Sequence, residues 1–127
     1  MSLPEPVRRH AVALVAEDEV LLRMEAADLL NDAGFSVLEA GNAEGALRYL
    51  ERHPEVQLLF TDVQMPGACD GFALAREVAR RWPHIAIVVV SGAARPAPGE
   101  LPDKARFFSK PYNPTLVLGT VQELLAA

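Results

Sequence analysis

The chain has 127 residues, half of them hydrophobic and 23% charged, with a formal net charge of −5 at pH 7. That length suits one domain with a sizeable core, and the acidic balance argues against a nucleic-acid surface, which needs a basic stripe. The single cysteine, Cys69, excludes an internal disulfide, and no run approaches the ~18 apolar residues of a membrane helix, so a cytoplasmic chain without a membrane partner is expected.

Residues 1–9 read as a flexible N-terminal extension and residues 10–127 as the single domain. His10–Ala16 is a short apolar run that predicts a strand, followed at once by Glu17, Asp18 and Glu19. From Val20 to Ala33 the apolar residues Leu22, Ala26, Leu29, Leu30 and Ala33 recur at helical spacing, and Gly34 stands where a helix commonly ends. Phe35–Ala40 alternates as a strand does, and Ala43, Ala46, Leu47 and Leu50 mark a second helix. Val56–Thr61 is a third strand ending at Asp62, after which Met65, Pro66 and Gly67 turn the chain.

A third helix is predicted from about Gly71 to Trp82, with Leu74, Val78 and Trp82 on one face and Pro83 as its stop. The arginines Arg76, Arg80 and Arg81 suit its solvated side and C-terminal end. Ile85–Val90 is the most hydrophobic run, expected as a central strand buried on both faces, with Ser91 and Gly92 ending it. Three prolines and a glycine in Ala93–Asp103 leave room for a loop with at most a short, irregular fourth helix. Arg106–Ser109 is a fifth strand, and a last helix runs from about Pro114 to Leu125 with Val117, Val121 and Leu124 inward. Strands alternating with helices imply right-handed crossovers, hence an α/β fold: a doubly wound, five-stranded parallel sheet with helices on both faces.

In such a sheet, ligands bind outside the carboxyl ends of the strands. Glu17 and Asp18 follow the first strand, Asp62 ends the third, Ser91 the fourth and Lys110 the fifth, so all these polar groups fall on one edge. Three carboxylates together repel one another unless a cation compensates, and an all-oxygen, carboxylate-rich set suits Mg²⁺. Lys110, one of two lysines in the chain, reaches the same edge. A cation, a lysine and a hydroxyl make a receptor for a phosphoryl group, and Asp62 can act as the nucleophile that forms an acyl phosphate. Taken singly, each residue has a plainer role. A strand-end aspartate forms turns, an acidic triplet suits the first turn of a helix, and Ser91-Gly92 and Lys110-Pro111 are loops. Their joint placement on strand ends favours a site. His10, His53 and His84 lack metal-ligand spacing, nothing activates Cys69, and Trp82 suits a core anchor.

The stretches ALVAEDE, LLFTDVQMPG, DGFALA, VVVSGAA and FFSKPY, spread over residues 11–125, resemble the receiver domains of two-component response regulators, the chemotaxis-regulator class with a flavodoxin-like fold. The resemblance implies the sheet order 2-1-3-4-5. It also implies that Asp62 is the phosphoacceptor, Asp18 a direct Mg²⁺ ligand and Glu17 a ligand acting mainly through water. Gln64 would bind the ion through its backbone carbonyl. Ser91 would bond the phosphoryl group and Lys110 pair with it, the bond before Pro111 being typically cis. Phe107 would switch rotamer as Ser91 moves, with an inward bias because it lacks a hydroxyl. The implied partners are a sensor histidine kinase or histidine phosphotransfer protein and a downstream protein target. The implied chemistry is donor-dependent self-phosphorylation and slow dephosphorylation rather than turnover catalysis.

Two departures stand out. MPGACDG holds two residues, Ala68 and Cys69, where the family pattern has one, and the Ser91–Lys110 segment is short, which puts in doubt any output or homodimer mode built on a full fourth helix. An aspartyl-nucleophile phosphatase would want a second acid where Gln64 stands, and an acidic first loop would repel a nucleotide. The remaining alternative is a phosphorylation-independent interaction module of the same fold. Because the chain ends at Ala127 with no output domain, it is expected to be a stand-alone receiver or part of a larger regulator.

Overall fold

Five strands and four helices make up the computed structural model, which describes residues 11–126, and they alternate as far as the fourth strand. They are β1 (Val12–Ala16), α1 (Val20–Asp32), β2 (Ser36–Ala40), α2 (Ala43–Arg52), β3 (Val56–Asp62), α3 (Gly71–Arg81), β4 (Ala86–Ser91), β5 (Arg106–Ser109) and α4 (Pro114–Ala126). All strand pairs are parallel, in the order β2-β1-β3-β4-β5. The expected N-terminal extension and His10 lie outside the described residues.

Period-2 alternation in the three inner strands builds two hydrophobic layers. Leu14, Leu59, Ile87 and Val89 face one side, where Ala46 and Leu50 of α2 and Leu74 and Val78 of α3 cover them. Ala13, Val15, Leu58, Phe60, Val88 and Val90 face the other, under Ala26 and Leu30 of α1 and Val117 and Val121 of α4. The middle position belongs to β3, not to the more hydrophobic β4. Both are interior strands, and hydrophobicity reports burial on two faces without ranking the neighbours.

The helices begin on side chains that accept an amide proton: Glu19 from Leu22 in α1, Asn42 from Gly45 in α2 and Asp70 from Ala73 in α3. After α1 the chain leaves through Gly34 at φ 106°, a left-handed position suited to glycine. The first turn of α1 departs from the periodic expectation, since Val20, Leu21, Leu22 and Met24 are exposed, as is Ala33 at its end. Burial on this helix is confined to Ala26, Ala27 and Leu30.

No helix forms between β4 and β5, not even the short one expected. Pro96, Pro98 and Pro102 lack the amide protons a helix needs, and side chains satisfy the backbone in its place. Ser91 Oγ accepts from the amides of Ala93 and Ala94, and Glu100 Oε1 accepts from the amide of Ala97. Arg76 donates to the Glu100 carbonyl and Lys104 to that of Pro83, strapping the segment to α3 and the turn after it.

Candidate functional site

The strand register itself delivers the acidic pair. Val15 lies beside Phe60 and Ala16 beside Thr61, so Glu17 and Asp62 come next, on the face continued from Val15 and Phe60. The β1–β2 ladder extends one residue further through Glu17 N–H to the Ala40 carbonyl, 3.0 Å. On the other side Asp62 is level with Val90 and Ser91 with Ser109, and Lys110 N–H donates to the Ser91 carbonyl at 2.8 Å. Four expected residues therefore meet at one edge: Glu17, Asp18, Asp62 and Lys110.

Lys110 Nζ lies 3.0 Å from Asp62 Oδ1 and 3.2 Å from Glu17 Oε1. Glu17 and Asp62 are buried, at 5% and 6% exposure, whereas Asp18 is exposed. One carboxylate oxygen from each of Glu17, Asp18 and Asp62 lies within 4.8 Å of the other two. Burial raises the Glu17 carboxyl above its ordinary value, the Glu19 amide opposes this, and the charge of Asp62 adds to it. Burial lowers Lys110, but the hydrogen bond and charge of Asp62, with Glu17, outweigh it and the net shift is upward. The ammonium thus stays charged as counter-ion to two buried carboxylates. The donor set is all oxygen, with two anionic groups sheltered and one open to solvent, which fits a small hard cation that keeps several waters.

Two clefts flank this edge. One of about 560 Å³ is lined by Glu17, Asp62, Lys110 and Tyr112 with apolar Leu22 and Phe60. The other, about 680 Å³, is lined by Asp18, Gln64, Met65 and Arg95. Gln64 is exposed in the loop leaving β3, and Gly67 turns that loop at φ 103°, with the Glu44 carboxylate 3.3 Å from where a Cβ would sit. Gly92 follows Ser91 and is exposed, and the Lys110–Pro111 peptide is cis.

Ser91 is buried at 1% exposure, its hydroxyl oxygen engaged by the two loop amides, which leaves its own proton to give. Phe107 is half-buried against the layer under α3, its ring 6.3 Å from that of Phe72. Cys69 packs against the same layer, and burial, with Glu44 and Asp70 nearby, raises its thiol, so it is not an activated nucleophile. His53 is taken up by Glu55 at 3.1 Å, away from the site.

Three contributors escaped sequence reasoning. Gly71 lets α3 start against the carbonyl of Asp62, and Arg23 reaches back to the Glu17 carbonyl. Tyr112, raised by burial and then by the charge of Glu25, walls the first cleft. The DG pair at Asp70-Gly71 signals a tight turn without naming its neighbour, and nothing in the sequence marks the other two.

The family described as response regulator receiver domain matches residues 13–121. Sensor kinase CckA of Brucella abortus (strain 2308) is 36% identical over 119 residues, 91% of this chain but 12% of the kinase. Response regulator receiver protein CpdR of the same organism is 31% identical over 117 residues, 90% of this chain and 96% of that protein. Among solved structures, a response regulator receiver protein from Sinorhizobium medicae WSM419 superposes with a TM-score of 0.85 at 28% identity, covering 93% of this chain and 96% of that one.

Proposed function

This chain belongs to the response regulator receiver domain family, and we propose that in it Asp62 accepts a phosphoryl group from a phosphohistidine on a sensor kinase or phosphotransfer protein. The observation that carries this reading is the placing of Lys110 Nζ within 3.0 Å of Asp62 and 3.2 Å of Glu17, beside the three converging carboxylates. Receiver domains bind Mg²⁺ at an acidic pocket, and Asp18, Asp62 and Glu17, with the Gln64 carbonyl, are the residues here that would hold it. When bound, the ion supplies charge neutralisation for the transferring group.

An Asp62 carboxylate oxygen attacks phosphorus in line. The new O–P bond forms as the P–N bond to the donor imidazole breaks, and the imidazole leaves with that electron pair and takes up a proton. Lys110, held charged by its neighbours, stabilises the oxygens of the transferring phosphoryl group. Afterwards the free Ser91 proton donates to a phosphoryl oxygen, drawing its loop toward Asp62. Phe107 then follows, shifting the population of the β4–β5 face toward a form a downstream protein reads. The half-buried packing of Phe107 supports the inward bias expected of a residue without a hydroxyl. The domain signals by changing state and is not a turnover enzyme.

The test is intact mass after incubation with Mg²⁺ and acetyl phosphate, phosphoramidate or beryllofluoride, with Asp62→Asn in parallel. The expected result is one phosphoryl group from either phosphoryl donor, or one coordinated beryllium trifluoride in native mass spectra, lost in Asp62→Asn and on chelation. No modification with any of the three would transfer the assignment to a phosphorylation-independent interaction module.

A further inference from the structure

Arg23 occupies a place where a cation gains nothing from its own helix. It lies in the first turn of α1, at the positive end of the helix dipole, yet it is turned back over that end instead of into solvent, its side chain 23% exposed. Two acceptors offset the cost. Its Nη1 donates to the carbonyl of Glu17 at 3.0 Å, and its Nε to Glu39 Oε1 on β2 at 3.3 Å. The guanidinium passes over Gly41, where a Cβ would lie 3.4 Å from Nη1. Among the described residues, no other side chain donates to a backbone carbonyl of Glu17, Asp18 or Glu19.

These three residues bridge β1 to α1 and carry two of the three converging carboxylates. Mutual repulsion pushes such a loop outward, while a small octahedral cation demands ligand positions fixed within tenths of an ångström, at bonds of about 2.0–2.1 Å. We infer that Arg23 is a positioning residue for the cation site: tied to β2 through Glu39, it clamps the Glu17 carbonyl and holds the acidic loop in register against Asp62. The inference rests on the metal-dependent reading above and adds a residue that touches neither metal nor phosphoryl group.

The sign of one measurement decides it. If Arg23 acted only as a nearby positive charge, removing it would leave the acidic cluster more attractive to a cation, and Mg²⁺ would bind more tightly. A clamp has the opposite effect, because the loop relaxes. Mg²⁺ titration of the whole chain by calorimetry is expected to show about tenfold weaker binding in Arg23→Met, within the range found for residues that orient metal ligands. Arg23→Lys keeps the charge but lacks the planar fork that reaches Glu17 and Glu39 from two different nitrogens, so its binding is expected to fall between the two. Amide NMR shifts of Glu17 and Asp18 should move in both variants before metal is added. Arg23→Lys carries the test should Arg23→Met fail to fold. Mg²⁺ binding as tight as wild type in the lysine variant, or as tight or tighter in the methionine variant, overturns the clamp while leaving the metal site standing. No Mg²⁺ uptake by the wild type overturns the metal-dependent reading and this one together.

Discussion

Gly71→Ala places a methyl group where the backbone leaves no space. A Cβ there would overlap the carbonyl oxygen of Asp62 and lie 2.7 Å from Cα of Val63, against about 3.4 Å for an ordinary contact. The obstruction is backbone, so no side chain can swing aside, and the start of α3 must retreat from the end of β3. That retreat also stretches the 2.8 Å bond from Gly71 N–H to the Val63 carbonyl. Overpacking costs about 1–3 kcal/mol and a weakened buried backbone bond about 1 kcal/mol, so a loss of roughly 2–4 kcal/mol is expected. Domains of this size have about 5–15 kcal/mol in all, so the variant should fold, with Asp62 displaced and phosphoryl uptake slowed. Urea unfolding followed by Trp82, which caps the far end of α3, measures the loss. Gly119→Ala, on an exposed face of α4 with nothing within 4 Å of its Cβ, is the control and should gain about 0.5–1 kcal/mol. A loss under 1 kcal/mol for Gly71→Ala with unchanged phosphoryl uptake would refute the reasoning.

Glu17 binds its proton more tightly folded than unfolded, so without metal its contribution is most favourable below the ordinary glutamate value near 4.5 and is lost as pH rises through its raised folded value. Glu17→Gln should therefore melt higher than wild type in chelator at pH 7–8, with the gap closing toward pH 4, as thermal scans across pH will record. Lys110→Met strips two buried carboxylates of their counter-ion, partly screened because the lysine side chain is 22% exposed. It should cost about 1–3 kcal/mol at pH 8, less at acid pH as Glu17 takes up its proton, measured by urea titration at both pH values. Ser91→Ala removes the acceptor for two loop amides. Hydrogen exchange should quicken at Ala93 and Ala94, and phosphoryl uptake should persist at a lower rate.

The strand–helix alternation was legible because each element carries its own period. Leu58, Phe60, Val88 and Val90 repeat every second residue, and Leu74 and Val78 every fourth. The site was legible for the same reason: once the strands are placed, Glu17, Asp18, Asp62 and Lys110 stand at carboxyl ends. The sequence after Ser91 predicts a short helix that does not form, because proline content limits helix length without reporting which side chains will replace it. The strap by Arg76, Glu100 and Lys104 joins residues more than twenty positions apart.

What the sequence determined by itself was therefore periodic and local: the elements, their order, and the residues at strand ends. The tertiary structure alone decided which groups touch across the chain. Lys110 lies 93 residues from Glu17 yet 3.2 Å away, Arg23 folds back over Glu17, and Gly71 lies under the carbonyl of Asp62. Those contacts arise from the register of neighbouring strands and the seating of helices upon them, and packing of that kind depends on the whole chain at once.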